Sequence, residues 1–375
     1  MRVEPRVPAD ILAAILAPLE SGGAVRAEAP LLLPLNLLLD LAGEAMRERL
    51  FVVQAGGAEL CLRPDFTVAI ARNHVERGET TGRYTYQGAA FRAAGGTDRA
   101  EEFVQVGLEV FGCPASAVID VDAAIVSAAW RAAAAGGRDD YGLLLGDVAL
   151  FAAFVESLAL APALAARLIR VAGRPRLLQA ELARTEAVSS GDASALAGLL
   201  AGLSPDDAGA LLEEVWALAG VEPVGGRGPA EIAARLVRKA AAAAAPALSP
   251  AQASAIRAFM VIDDTPAAAL AAVRTLAGRN AATLAGALAA WDRRLAALAG
   301  AVPTHRLRFT PALGHAFDYY DGIVFEVRSA ALGPDRPVAV GGRYDGLLAR
   351  LGGGAAGRAV GCMVRPWRAW TGGEA

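Results

Sequence analysis

The sequence predicts an α+β fold with a mainly antiparallel sheet. Three observations carry that prediction. Short β-rich runs, broken by Gly and Pro, fill residues 51–112 and return after residue 303. A tract rich in Ala, Leu, Arg and Glu, helical in texture, separates them over roughly residues 160–300. Strands and helices are thus segregated, not alternated as in βαβ units. The 375 residues suffice for one large domain or two, with a sizeable core.

The first 50 residues read as mostly helical. ILAAILAPL follows MRVEPRVPAD and suits a helix with Asp10 as N-cap. Glu4, Asp10 and Pro18 break the pattern of a signal peptide. PLLLPL (30–35) is an extended interruption. FVV, ELCLRPDFTVAI, GRYTYQGAAFR and VQVGLEVFG then alternate as strands do. Residues 120–137 turn helical, and LLLGDVALFAAFVESLAL (143–160) reads as strand, turn and helix. The tract that follows is punctuated at Gly173, Gly191, Ser204-Pro205, Gly225-Gly226 and Pro246, with a new start at Ser249-Pro250. Beyond it come HRLRFTPAL, HAFDYYDGIVFEV, RPVAVGGRYDGLLARLGG and AVGCMV. HAFDYYDGIVFEV (315–327) reads as one strand. Its period puts Asp318, Tyr320, Val324 and Glu326 on one side, and Tyr319, Asp321, Ile323, Phe325 and Val327 on the other.

The bulk numbers exclude several function classes. Net charge is −3 and the pI is about 5.8. A polyanion such as tRNA meets a basic surface, and no overall basic excess exists, so no tRNA partner is expected. No run of 18 apolar residues is present, so no membrane span is expected. Cys61, Cys113 and Cys362 are far apart and form no CxxC pair, which suits reduced thiols in a cytoplasmic protein. The three histidines, His74, His305 and His315, make no metal-ligand spacing, so no metal is expected. Walker A, GxGxxG, GxSxG and kinase motifs are missing, so no cofactor is expected either. The glycines at 341–342 and 352–354 suit turns or close approach of the backbone.

The informative residues form a set. Arg63-Pro64-Asp65-Phe66-Thr67 closes a strand with an acid and a hydroxyl. Phe91-Arg92 follows the run YTYQGAA. Gln105 and Glu109, four apart on a strand, share a face. Asp318, Tyr319, Tyr320 and Gly341-Gly342-Arg343-Tyr344-Asp345 complete the set. Singly, each also suits a half-exposed sheet. In order, however, LRPDFT, YTYQGAAFR, EEFVQVGLEVFG, FDYYDGIVFEV and VGGRYDGLLARLGG resemble the catalytic domain of histidyl-tRNA synthetase, a class II aminoacyl-tRNA synthetase. The resemblance spans about residues 30–135 and 305–368.

That resemblance implies a class II aminoacyl-tRNA synthetase-like antiparallel sheet flanked by helices. Residues 1–160 and 301–375 would form the core and 161–300 a helical insertion. Pro34 in LLLPL matches the proline of the class II dimer motif and implies a homodimer. The resemblance also implies a histidine pocket. Asp65, Thr67 and Gln105 match positions that hold an α-ammonium, and an anion with two neutral acceptors suits a cation. Asp65 is one methylene shorter than the usual Glu. Glu109 and Tyr320, with Tyr319 beside them, match the surroundings of the imidazole. A carboxylate and a phenol can meet both ring nitrogens. A pocket that pairs both nitrogens rejects isosteres lacking one.

The chain departs from the synthetase pattern where ATP chemistry is concerned. His315-Ala316-Phe317-Asp318-Tyr319-Tyr320 stands where the family has Arg-Gly-Leu-Asp-Tyr-Tyr. That arginine stabilises charge during attack on the α-phosphate, and a histidine lacks its bidentate fork. Ala94 replaces an acid near adenine. Ala359-Val360-Gly361-Cys362-Met363-Val364-Arg365-Pro366-Trp367-Arg368 keeps the final arginine, while Arg365 and Pro366 alter or fill the adenine slot. Arg92 is retained and is the candidate for holding a free carboxylate. The chain stops at Ala375, where a synthetase would continue for about 100 residues, a typical domain size, to read the anticodon; no anticodon-binding domain is expected.

These departures resemble one paralogue class, the regulatory subunits of ATP phosphoribosyltransferase in the first step of histidine biosynthesis. The likeness implies a non-catalytic subunit that partners a short-form ATP phosphoribosyltransferase catalytic subunit in a hetero-oligomer. It also implies L-histidine as effector. A truncated or divergent histidyl-tRNA synthetase and a stand-alone histidine-sensing paralogue stay open as alternatives.

Overall fold

The structure, a computed structural model, describes residues 1–95, 99–171, 175–187, 207, 210, 211, 214, 248–314, 319–353 and 357–373. In chain order the described strands are β1 Val25–Arg26, β2 Leu32–Pro34, β3 Val52–Ala55, β4 Ala58–Leu62, β5 Gly82–Phe91 and β6 Glu102–Phe111. Then come β7 Tyr141–Asp147, β8 Leu307–Phe309, β9 Ile323–Ser329, β10 Ala339–Arg343 and β11 Ala359–Val364. Four helices position the site: α1 Ala9–Glu20, α2 Leu35–Ala42, α3 Thr67–Glu76 and α4 Val118–Ala134.

Alternating character decides the sheet. β5 and β6 zip over their whole length, from Gly82 opposite Phe111 to Phe91 opposite Glu102. Eight strands follow the order β1-β5-β6-β11-β10-β9-β7-β8. All neighbours are antiparallel except the two edge pairs, β1 with β5 and β7 with β8. The class II-like α+β expectation therefore holds. Along β6 the period of two puts Phe103, Gln105, Gly107, Glu109 and Phe111 on one face. Phe103 and Phe111 pack there with α2 and α3 side chains such as Leu38, Val68 and Ile70 in a buried apolar cluster. α4 covers the sheet at β9, β10 and β11 and also meets α1. A separate three-stranded sheet, β2-β4-β3, joins Leu33 to Cys61 and Val52 to Cys61.

Buried charge ties α4 to its neighbours. Asp122 is fully buried and accepts from Arg343 Nη2 at 2.6 Å and Nε at 2.9 Å. Its other oxygen accepts from Arg294 Nε at 2.9 Å, on the helix Ala285–Leu298. Trp291 on that helix donates its indole N–H to Asp147 at 2.7 Å.

Contacts group the chain into two units, Met1–Phe154 with Ala258–Ala375, and Val155–Arg257. The helices Pro266–Ala277 and Ala285–Leu298, within the tract read from sequence as 161–300, lie in the first of these. In the second, the helices Pro162–Ile169 and Pro175–Ala187 bury Leu164, Leu168, Leu178 and Leu182. Arg167 and Glu181 join them by a 2.8 Å ion pair. The expected restart at Ser249-Pro250 is a reciprocal cap. Ser249 Oγ accepts from the Gln252 amide at 3.2 Å, and Gln252 Oε1 accepts from the Ser249 amide at 2.9 Å. The expected breaks at Gly173, Gly191, Ser204-Pro205, Gly225-Gly226 and Pro246 lie outside the described residues.

Several local expectations are corrected. The first helix begins at Ala9 with Pro8 at the cap, so Asp10 sits in the first turn, where a carboxylate favours the helix dipole. TVAI, read as strand, opens α3, because the strand before it ends at Leu62 and Pro64 interrupts the ladder. HAFDYYDGIVFEV is a strand only from Ile323. Residues 315–318 lie outside the described residues, and Tyr319–Gly322 is a turn. The cause is Asp321, whose carboxylate accepts the amides of Asp345 at 3.0 Å and Gly346 at 2.7 Å. Of the two readings of Gly341 and Gly342, close approach holds and turn does not: both lie inside β10, where a Cβ would come within 2.5 Å of a backbone carbonyl oxygen.

Candidate functional site

A cavity of about 610 Å³ opens on the β6 face of the sheet. Asp65, Thr67, Arg92, Tyr319 and Tyr320 line it, five of the seven residues singled out from sequence. Different elements deliver them. Asp65 lies between β4 and α3, Thr67 opens α3, and Arg92 follows β5 directly. Tyr319 and Tyr320 reach the cavity together because their segment turns instead of alternating faces.

Glu109 lies behind that wall, almost fully buried. The Thr67 hydroxyl donates to Glu109 Oε1 at 2.7 Å. The Tyr344 hydroxyl donates to Oε2. Thr67 and Tyr344 both line the cavity, so the carboxyl faces it through them. Burial pushes the Glu109 carboxyl up to about 8, although its hydrogen bonds pull the other way. Gln105, on the same face of β6, is wholly buried, and neither atom of its amide has a hydrogen-bond partner among the described residues. It does not line the cavity.

Asp65 has a different environment. Burial raises its carboxyl to about 6, against the charge of Arg92 and the backbone N–H groups of Val68 and Thr67. The Tyr319 hydroxyl lies 3.5 Å from its Oδ2. Its Oδ1, turned inward, has no partner among the described residues. At neutral pH the geometry thus offers an ionised carboxylate at Asp65 and a protonated carboxyl at Glu109. One can accept a cation and the other can exchange a hydrogen bond with a neutral ring.

Aromatic rings frame the pocket. Tyr319, Tyr320 and Tyr344 meet pairwise, with ring centroids 4.8, 5.5 and 5.9 Å apart. Two glycines make room. A Cβ on Gly342 would come within 2.8 Å of the Tyr320 ring. One on Gly361 would fall on the Glu109 carboxylate and within 2.6 Å of the Tyr344 hydroxyl. Tyr344 is the residue that sequence reasoning missed. Its segment belongs to the informative set, but nothing in its spacing says that the phenol reaches Glu109.

Five arginines also line the cavity, Arg49, Arg92, Arg99, Arg365 and Arg368, together with Glu48, Glu326 and Asp335. Arg92 Nε donates to the Pro64 carbonyl at 2.9 Å. Arg368 donates to the Pro337 carbonyl at 3.0 Å. Arg365, one of the expected departures, is buried, pairs with buried Glu4 and lies 3.6 Å from the centre of the Phe103 ring. A guanidinium therefore covers one face of an aromatic ring in the cavity wall. His315 lies outside the described residues.

A family model described as histidyl-tRNA synthetase matches residues 6–225 and 215–366. A relative from Brucella anthropi is 33% identical over 342 residues, covering 90% of each chain. Another, from Mesorhizobium japonicum, is 34% identical over 347 residues, again 90% of each. Both are named ATP phosphoribosyltransferase regulatory subunit. Among solved structures, a Bacillus halodurans protein is described as an ATP phosphoribosyltransferase regulatory subunit/histidyl-tRNA synthetase. It superposes with a TM-score of 0.64 at 20% identity, over 97% of this chain and 80% of that one. A histidyl-tRNA synthetase from a Nostoc species gives 0.60 at 16% identity, over 96% and 69%. These two structural likenesses establish the fold.

Proposed function

Since the chain belongs to the ATP phosphoribosyltransferase regulatory subunit family, with a histidyl-tRNA synthetase-like fold, we propose that it binds free L-histidine in this cavity as a non-catalytic subunit. It partners a short-form ATP phosphoribosyltransferase catalytic subunit, activates it and transmits feedback inhibition by histidine in the cytoplasm. The single observation that carries the reading is the buried acceptor set. Glu109 is held by Thr67 and Tyr344, while Asp65 Oδ1 and the Gln105 amide are unsatisfied. Buried polar groups without partners are costly, and a ligand ammonium relieves that cost at Asp65, which lines the cavity. Asp65 and Thr67, with Gln105 buried behind that wall, take the ammonium, Glu109 with Tyr319 and Tyr320 the ring, and Arg92 the carboxylate.

Binding to one of two conformations biases a coupled partner. Coupling of about 1–3 kcal/mol is enough for useful inhibition. The non-catalytic reading is supported by Arg365, which occupies a ring face that a flat ligand would otherwise use. A homodimer at the centre of the hetero-oligomer is supported by Leu31, Leu32 and Val52, which stay exposed around the small sheet and Pro34. Among the described residues no helix is long and apolar enough to cross a membrane, and the net charge of −3 argues against tRNA as partner.

The test is reconstitution. The purified chain is mixed with a short-form ATP phosphoribosyltransferase, and turnover is measured with and without histidine. Higher turnover in the complex and its loss on adding histidine support the proposal; no complex and no gain in turnover defeat it. The retained Arg92 and Arg368 favour one competitor, a divergent synthetase. Histidine-dependent exchange of pyrophosphate into ATP by the chain alone would establish that instead.

A further inference from the structure

Three guanidiniums gather at one side of the cavity, more positive charge than a wall needs. Arg49, Arg92 and Arg99 all line it. Arg49 is half-buried, on the segment between α2 and β3 that the Ala93 amide anchors by donating to its carbonyl at 3.0 Å. Among the described residues neither Arg49 nor Arg99 has a carboxylate within ion-pair distance. Burial and the like charges of Arg92 and Arg99 make the Arg49 guanidinium harder to keep protonated. Arg49 and Arg92 are both partly desolvated, with the exposed Arg99 beside them, and like charges so placed favour an anion between them. Beside Arg92 stands the opposite demand, the buried Asp65 oxygen without a hydrogen-bond partner among the described residues. The lining thus offers a place for a cation at Asp65 and one for an anion at the arginines.

We infer that the cavity reads its ligand as a zwitterion, and that Arg49 joins Arg92 in requiring an amino acid whose carboxylate is free. The inference rests on the proposed histidine pocket and adds a selectivity to it. Histidine joined through its carboxyl to another group, as an ester, an amide or a peptide, is refused, because it presents no charge to the arginines. So is the corresponding alcohol. A gauge of the free amino acid built this way ignores the same side chain inside peptides and activated derivatives.

Calorimetry on the full chain tests it with three ligands: L-histidine, L-histidinol and L-histidinamide. Wild type is expected to bind histidine at least tenfold more tightly than the other two. Arg49→Gln is expected to weaken histidine about tenfold and leave histidinol unchanged, so that the gap closes. Arg49→Lys, which keeps a charge, restores part of the gap. Unchanged histidinol affinity also reports that the variant is folded. If Arg49→Gln fails to fold, the wild-type ligand series with Arg49→Lys decides.

The outcomes separate the two readings. No histidine binding at all would defeat the pocket itself. Histidine and histidinol bound within threefold of each other would leave the pocket standing and overturn this inference. A gap undiminished in Arg49→Gln would overturn the role of Arg49. Inorganic phosphate bound without competing with histidine would put the arginines in a separate anion site and also overturn it.

Discussion

Tyr344 and Glu109 meet through the space left by a missing side chain. The phenol on the residue after β10 donates to the carboxyl on β6 across Gly361 of the intervening strand. Gly361→Ala puts a methyl group on that contact. Overpacking of a tight core costs about 1–3 kcal/mol, and here the group displaced is the centre of the pocket. We expect a lower thermal midpoint and a loss of histidine affinity of at least about tenfold, the latter equivalent to roughly 1.4 kcal/mol. Calorimetry with native affinity in Gly361→Ala would mean that histidine does not contact Glu109.

Glu109 makes the empty protein sensitive to pH. Its carboxyl titrates near 8 in the fold against an ordinary value of 4.5. The unfolded chain therefore loses this proton first as pH rises. Stability from the buried neutral carboxyl is complete below pH 4.5 and erodes as pH climbs toward 8. Asp65, raised to about 6, adds the same trend at lower pH. Glu109→Gln cannot ionise, so it gains on the wild type between these limits, by on the order of 2 kcal/mol at neutral pH. Denaturation curves at several pH values from 5 to 8.5 check the slope. The same variant loses histidine binding, which makes it more stable and less responsive at once.

Thr67 and Tyr344 share the work of holding that carboxyl. Thr67→Val and Tyr344→Phe each remove one donor and leave the buried oxygen short of a partner. Each is expected to cost about 1–2 kcal/mol of stability and to weaken histidine binding. The double variant should cost more than the sum of the two, because the second loss leaves the carboxyl with Tyr86 as its one remaining donor among the described residues. Additive losses in a denaturant cycle would mean that the two bonds act independently.

Asp122 bears on the scaffold, away from the pocket. It neutralises Arg343 and Arg294 from a wholly buried position, and the charge of Asp122 raises the Arg343 proton affinity. Asp122→Ala strips the half-buried Arg294 of its carboxylate and leaves the buried Arg343 with Asp345 alone, and should destabilise by about 3 kcal/mol. Replacing Arg343 with Met at the same time recovers part of the loss. Chemical denaturation of the single and double variants gives both numbers.

How much of this was legible in the sequence depends on the kind of signal. The hairpin of β5 and β6 is written in plain alternation, and Gln105 with Glu109 fall on one face of β6 as the period of two requires. Asp65, Thr67 and Arg92 were legible as motif residues at the ends of runs. The turn at Tyr319–Gly322 was not, because it is made by amides of Asp345 and Gly346 donating to Asp321, partners more than twenty residues away. The role of Tyr344 was hidden for the same reason. A phenol that crosses a strand at a glycine leaves no periodic trace. Arg365 was seen as a departure, but its partner Glu4 sits 361 positions earlier, and no local pattern joins them.

β11 lies fourth in the sheet, between β6 and β10, yet it is the last of the described strands to leave the ribosome. Until residues 359–364 emerge, β1-β5-β6 and β10-β9-β7-β8 are separate half-sheets with bare inner edges. During translation the β6 edge stays bare for some 250 residues of synthesis, from Phe111 to Ala359, and β10 bares a second edge over the last of them, once Arg343 is made. Vulnerability to aggregation should thus peak just before release, and a premature stop ahead of Ala359 would yield halves that never close.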